Sequence, residues 1–151
     1  MGNSTLVIEN ITRLITKADT VDKAIAYVDE INNPKVGYCL DTCHAEIDTY
    51  LYCGMHPGVV PEEVREVLFP HELVNKHLMN VHFSKTQGNG FGWNHSMPCR
   101  YPEEVKDIVV KYRSINLDKV PIVCEVVEPV YASRDWEIEH IHAIEAYNKR
   151  G

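Results

Sequence analysis

The sequence has no apolar run approaching the ~20 residues that a membrane-spanning helix requires. Its amino terminus also lacks the succession of charged, apolar and small residues that marks a signal peptide. No membrane partner is therefore expected. Cysteine occurs five times, an odd number that builds no obvious disulfide framework in a chain of 151 residues. Cys39, Cys43 and Cys124 lie in or beside apolar stretches, where a reduced thiol packs as a small hydrophobe. That usage fits a reducing compartment, and a cytoplasmic location is expected. Positive charge is scarce. The net charge of −7 argues against broad non-specific binding of nucleic acid. A local site is still open, because bound divalent cations would reverse the sign around clustered carboxylates.

No linker-like stretch interrupts the chain, and its length fits a single domain over residues 1–151, long enough to bury a core. A short apolar run, Leu6-Val7-Ile8-Glu9, ends in a carboxylate. Thr20 is a plausible N-cap, and Val21, Ala24, Ile25, Val28 and Ile31 recur at helical spacing, which predicts a helix over 20–32. Pro34 stops it. A buried strand follows over 35–41, then a long loop over 45–60. Pro61-Glu62-Glu63 opens a helix that Pro70 breaks, with a second piece over 72–78. A third strand is predicted over 80–84, a Gly- and Asn-rich loop over 87–99, and a helix from Pro102 with Val105, Ile108, Val109 and Tyr112 on its inner face. The fourth strand is 120–125. A last helix, 136–148, would turn Ile138, Ile141, Ala143 or Ile144, and Tyr147 inward.

Four strand–helix units in succession imply an α/β fold whose strands run parallel and are covered on both faces. In such sheets chemistry gathers at the carboxyl ends of the strands. Each strand here ends on a ligand-type side chain: Glu9, Asp41 with His44, His82, and Glu125. Taken singly these have ordinary explanations: Asp41 would cap the next segment, His44 would be a loop histidine, Glu9 would pair with a lysine, and His82 would be a satisfied core histidine. Four equivalent ends together point to a shared site, because an unpaired charge at the end of a buried strand costs several kcal/mol. Carboxylate oxygen with imidazole nitrogen suits Zn²⁺, Mn²⁺ or Fe²⁺.

The run Cys39-Leu40-Asp41-Thr42-Cys43-His44-Ala45 resembles the signature of endonuclease IV, an apurinic/apyrimidinic endonuclease within the xylose isomerase-like TIM barrels. Val7-Ile8-Glu9-Asn10 resembles the fifth barrel strand, residues 35–44 the sixth, residues 77–85 the seventh, and Pro121-Ile122-Val123-Cys124-Glu125 the eighth. The resemblance implies half of a (β/α)8 barrel. It implies Glu9 as a bridging ligand, Asp41 and His44 as ligands of different metals, and His82 and Glu125 as further ligands. His95, in Trp93-Asn94-His95, corresponds to one residue of the family's Asp-x-His pair; the aspartate has no counterpart, so His44 and His95 would form a weaker outer site.

The activity so implied is a zinc-dependent phosphodiesterase cleaving DNA at abasic sites, with Glu9 and Glu125 central to catalysis. A sugar isomerase or epimerase of the same superfamily, using Mn, Mg or Co, needs only Glu9, Asp41, His82 and Glu125. A non-catalytic half-barrel remnant is the third reading. A complete barrel has eight strands, and the resemblance covers the carboxyl-terminal four, as in a natural short protein, a split-gene product or a fragment. Four parallel strands leave two open edges, so a homodimer or a second half-barrel chain is the expected partner.

Overall fold

The computed structural model describes residues 5–10, 20–53, 75–88, 93–112, 119–126 and 135–150, with backbone alone at 48–53, 87–88 and 93–96. The helix expected to open at Pro61, and most of the piece expected over 72–78, lie outside the described residues. A four-stranded parallel sheet forms the centre, and helices pack against its outer face. This is an α/β arrangement and a partial barrel. No helix among the described residues is long and apolar enough to cross a membrane.

Strand β1 (Leu6–Glu9) pairs in parallel with β2 (Val36–Asp41), Leu6 opposite Val36 and Glu9 opposite Cys39. Between them runs α1 (Val21–Ile31), which buries Val21, Ala24, Ile25 and Val28 on one stripe, as their spacing requires. Asn32 closes α1 in the left-handed conformation, its N–H bonded to the Val28 carbonyl. Every residue of β2 is buried, which explains its unbroken apolar character.

The loop expected over 45–60 is instead, in its first part, a helix: α2 spans Thr42–Cys53. Asp41 Oδ1 accepts the His44 N–H at 2.7 Å, the N-cap bond that starts a helix directly after the strand. Ala45 and Ile47 then turn inward. Strand β3 is Leu78–His82, two residues earlier than the expected 80–84. Its register against β2 slips between Tyr38 and Cys39, which face Leu78 and Asn80, so Met79 is the extra residue of a bulge. Gly37 makes room for it: a Cβ there would lie 2.5 Å from Met79 Cγ and 2.6 Å from the His77 carbonyl oxygen.

The segment expected to be a loop over 87–99 contains an antiparallel pair, β4 (Lys85–Gly88) with β5 (Trp93–Met97). The sequence between them contains Asn89-Gly90, a dipeptide common in hairpin connections. Helix α3 (Pro102–Lys111) opens with proline in its first turn and a capping box between Tyr101 and Glu104. Strand β6 (Ile122–Val123) is shorter than the expected 120–125 and pairs with β3, giving the order β1-β2-β3-β6.

Helix α4 (Asp135–Asn148) differs from expectation in the face it buries. Ile138 and Ile141 are 50% and 39% exposed, whereas His140, Ala143 and Ile144 are buried. The cause is His140, whose two ring nitrogens are satisfied by main-chain groups: Nδ1 accepts the Cys99 N–H at 2.8 Å, and Nε2 donates to the Phe83 carbonyl at 2.6 Å. A ring so satisfied enters the core without an unpaired polar atom. The core proper joins α1, the outer face of β2 and β3, and the helices α3 and α4 through Ile25, Tyr38, Leu40, Val81, Phe83, Val105 and Ile144.

Candidate metal centre

Parallel pairing in register brings the strands' carboxyl ends to one rim. Asp41 lies opposite His82 in the β2–β3 ladder, and Glu9 ends the strand on the other side of β2. Glu125 follows β6 by two residues. Glu9, Asp41, His82 and Glu125 each offer one ligand atom, and these atoms lie within 4.8 Å of one another. His82 Nδ1 is 2.9 Å from Glu125 Oε2, 3.7 Å from Glu9 Oε1 and 4.0 Å from Asp41 Oδ2.

Three of these atoms, Asp41 Oδ2, His82 Nδ1 and Glu125 Oε2, are buried and make no hydrogen bond. Two carboxylate oxygens and an imidazole nitrogen that meet one another and His44 with no hydrogen bond each carry a desolvation penalty, of about 1–3 kcal/mol, that such a bond would otherwise offset. Their convergence fits a divalent cation, which would neutralise the carboxylates and take up all three lone pairs.

Asp41 divides its carboxylate between two tasks. Oδ1 caps α2, while Oδ2 faces Glu9, His44 and His82. It is fully buried, and that burial, against the opposing help of His44, pushes its pKa up from 3.8 to about 6. His44 stands beside the four rather than apart from them. Its Nδ1 lies 3.0 Å from the Asn10 carbonyl oxygen, 3.3 Å from Glu9 Oε1 and 3.5 Å from Asp41 Oδ2. Burial disfavours its charged form, but the Glu9 carboxylate and the Asp41 charge outweigh this and hold its pKa above the ordinary 6.5. The side chain of His95 lies outside the described residues, and with it the expected pairing of His95 with His44.

Other residues at the rim were not singled out by their spacing. The Thr42 hydroxyl donates to the Ser84 carbonyl at 2.6 Å and accepts the Ser84 N–H at 3.1 Å, locking the start of α2 to the end of β3. Asn10 is 0% exposed and bonds the backbone of Asp41 through both side-chain atoms. A threonine after a ligand, or an asparagine after a strand-end glutamate, is too common in sequence to mark such a role. Cys39, beneath Asp41 on β2, is an inert structural thiol: burial pushes its pKa up to about 12. The described cysteines 39, 43, 99 and 124 form no disulfide.

A model of the family described as xylose isomerase-like TIM barrel matches residues 3–147, nearly the whole chain. The chain belongs to that family. No curated protein matches it. As a xylose isomerase-like TIM barrel chain, it places its carboxylate and histidine cluster at the carboxyl ends of parallel strands, where barrels of this architecture assemble their chemistry.

Proposed function

We propose that the protein is a metal-dependent phosphodiesterase resembling endonuclease IV, acting on abasic sites in DNA. The observation that carries this reading is the position of Glu9. Its Oε1 lies between two imidazoles, 3.3 Å from His44 Nδ1 and 3.7 Å from His82 Nδ1. A fifth ligand-type side chain thus adjoins the group of four, as a site for more than one cation requires. A divalent cation there, zinc foremost, would supply Lewis acidity toward a phosphoryl oxygen. Asp41, His82 and Glu125 would hold it, Glu9 would face both this cation and His44, and His44 with His95 would serve an outer position. Three carboxylates in one place repel a phosphate diester, so the reading also requires the cations for substrate binding.

A second reading is favoured by one feature of the same site. Two glutamates, one aspartate and one histidine already form a group within 4.8 Å without a further residue, the set that a sugar isomerase or epimerase would use with one Mn, Mg or Co ion. Closure of the four-stranded sheet by a second half-barrel, most simply another copy of the chain, is part of the proposal in either case; both edges of the described sheet would then be paired.

Elemental analysis and sedimentation of the purified protein, followed by incubation with abasic duplex DNA and with ketoses, test this directly. More than one zinc per site and strand cleavage that is lost in Glu125→Gln are the expected results. A single Mn or Co with ketose turnover and intact DNA would overturn the nuclease reading in favour of the isomerase. No retained metal and no turnover would indicate a non-catalytic remnant, and a stable monomer at micromolar concentration would remove the second copy.

A further inference from the structure

We infer that Asn10 is a positioning residue for this centre: its side-chain amide holds the backbone of Asp41 while its main-chain carbonyl sets the tautomer of His44. Its bearing on activity rests on the metal-dependent reading above. Strand β1 ends at Glu9, and the rung at Asp41 is made by a side chain. Asn10 Nδ2 donates to the Asp41 carbonyl at 3.1 Å, and Asn10 Oδ1 accepts the Asp41 N–H at 2.8 Å. A carboxamide carries a donor and an acceptor on one planar group, so it can stand in for the peptide unit of a neighbouring strand. Aspartate has the same shape but no donor, and it would set an acceptor against the Asp41 carbonyl.

The backbone oxygen of Asn10 meets His44 instead, 3.0 Å from Nδ1. A carbonyl oxygen only accepts, so Nδ1 must carry the hydrogen. The other atoms close to Nδ1, Glu9 Oε1 at 3.3 Å and Asp41 Oδ2 at 3.5 Å, are carboxylate oxygens and impose the same choice. In the neutral ring the lone pair is then on Nε2. His44 therefore keeps Nε2 as its donor atom for a cation while its other nitrogen is tethered to main chain, the way ligating histidines are commonly held. One buried residue thus fixes the placement of one ligand, Asp41, and the donor atom of another, His44.

The tautomer is measurable on metal-free, nitrogen-labelled protein at about pH 9, above the ordinary histidine range. Long-range proton–nitrogen correlation should show His44 protonated on Nδ1 and bare on Nε2. In Asn10→Ala the Glu9 and Asp41 carboxylates should keep Nδ1 protonated, while the Asp41 amide, having lost its acceptor, should exchange with solvent faster than in the unsubstituted protein. Asn10→Ala and Asn10→Asp should bind Zn²⁺ about 10–100-fold more weakly by calorimetry, with near-ultraviolet circular dichroism unchanged. An Nε2-protonated His44 in the unsubstituted protein would overturn the inference, as would a folded variant with full Zn²⁺ affinity. If the variants fail to fold, the unsubstituted protein's tautomer decides alone. If the unsubstituted protein binds no cation, the metal-dependent reading fails, while the tautomer together with amide exchange at Asp41 still tests what Asn10 does.

Discussion

Replacing His140 removes the ring that joins α4 to two other parts of the core. In His140→Ala the Cys99 N–H and the Phe83 carbonyl, on residues that are each 0% exposed, lose their partners at 2.8 and 2.6 Å. Two buried unsatisfied main-chain groups cost about 1–3 kcal/mol each. The ring also stacks on Phe83 with centroids 5.8 Å apart, so a cavity opens beside that side chain. The expected loss is about 3–5 kcal/mol, a large share of the ~5–15 kcal/mol of a typical domain. His140→Asn keeps an acceptor for Cys99 and should lose less.

The unsubstituted ring also makes stability pH-dependent. Burial, partly offset by the hydrogen bond to the Phe83 carbonyl, lowers the His140 pKa below the ordinary 6.5; Lys85 lowers it further and Glu104 opposes. The unfolded chain therefore binds this proton first. The stability contributed by neutral His140 is complete above pH 6.5 and is lost as pH falls below it, by at most about 1.4 kcal/mol per pH unit. Protonation would turn a second N–H against the Cys99 N–H, which gives the direction a structural cause. Urea unfolding at about pH 7.5 and about pH 5.5, comparing the protein with His140→Asn, isolates this group from the other histidines. Equal losses in the two proteins on acidification would refute the reasoning.

Gly37→Ala should destabilise by about 1–3 kcal/mol, because Met79 can swing aside but the His77 carbonyl, bonded to the Tyr38 N–H at 3.0 Å, cannot; an unchanged urea midpoint would contradict the bulge at Met79. Asp41→Asn should leave the cap on α2 intact, since asparagine caps as well as aspartate. With its pKa raised to about 6, Asp41 weakens the metal-free fold as pH climbs from 3.8 through 6. The metal-free variant should thus be more stable than the unsubstituted protein at about pH 8, by about 1–3 kcal/mol, with the difference vanishing near pH 4, while its cation affinity falls at least tenfold. Thermal unfolding in chelator and calorimetric titration check the two halves of that expectation.

The four parallel strands and the strand-end positions of Glu9, Asp41, His82 and Glu125 were legible because periodicity and strand ends are local properties of sequence. Elements α1 and α3 came out within a residue or two, their stripes being explicit and their bounds marked at Thr20, Pro34 and Pro102. Helix α2 did not, because Tyr50, Tyr52 and the prolines and glycines further on suggested a loop, while the deciding signal was one carboxylate oxygen of Asp41. The buried face of α4 was misjudged for a related reason. Isoleucine ranks above histidine on any hydropathy scale, yet His140 finds two main-chain partners and Ile138 and Ile141 remain at the surface. Hydrogen bonds between residues 41 and 57 positions apart, such as those of His140, leave no trace in a window of neighbouring residues.

The division of labour within the Asp41 carboxylate bears on how this chain would change if its chemistry were no longer needed. A side-chain oxygen would still be required at position 41 to start α2 after the strand, so selection for folding alone would hold that position to aspartate or asparagine. His82 Nδ1 and Glu125 Oε2 have no such second employment; buried without a hydrogen bond, they meet mainly each other, at 2.9 Å. A lineage freed from its activity would therefore drift first at positions 82 and 125 toward residues that remove the stranded polar atoms. A capping side chain at position 41 therefore says little about activity, and the more informative positions for telling a working enzyme from a relic are His82 and Glu125.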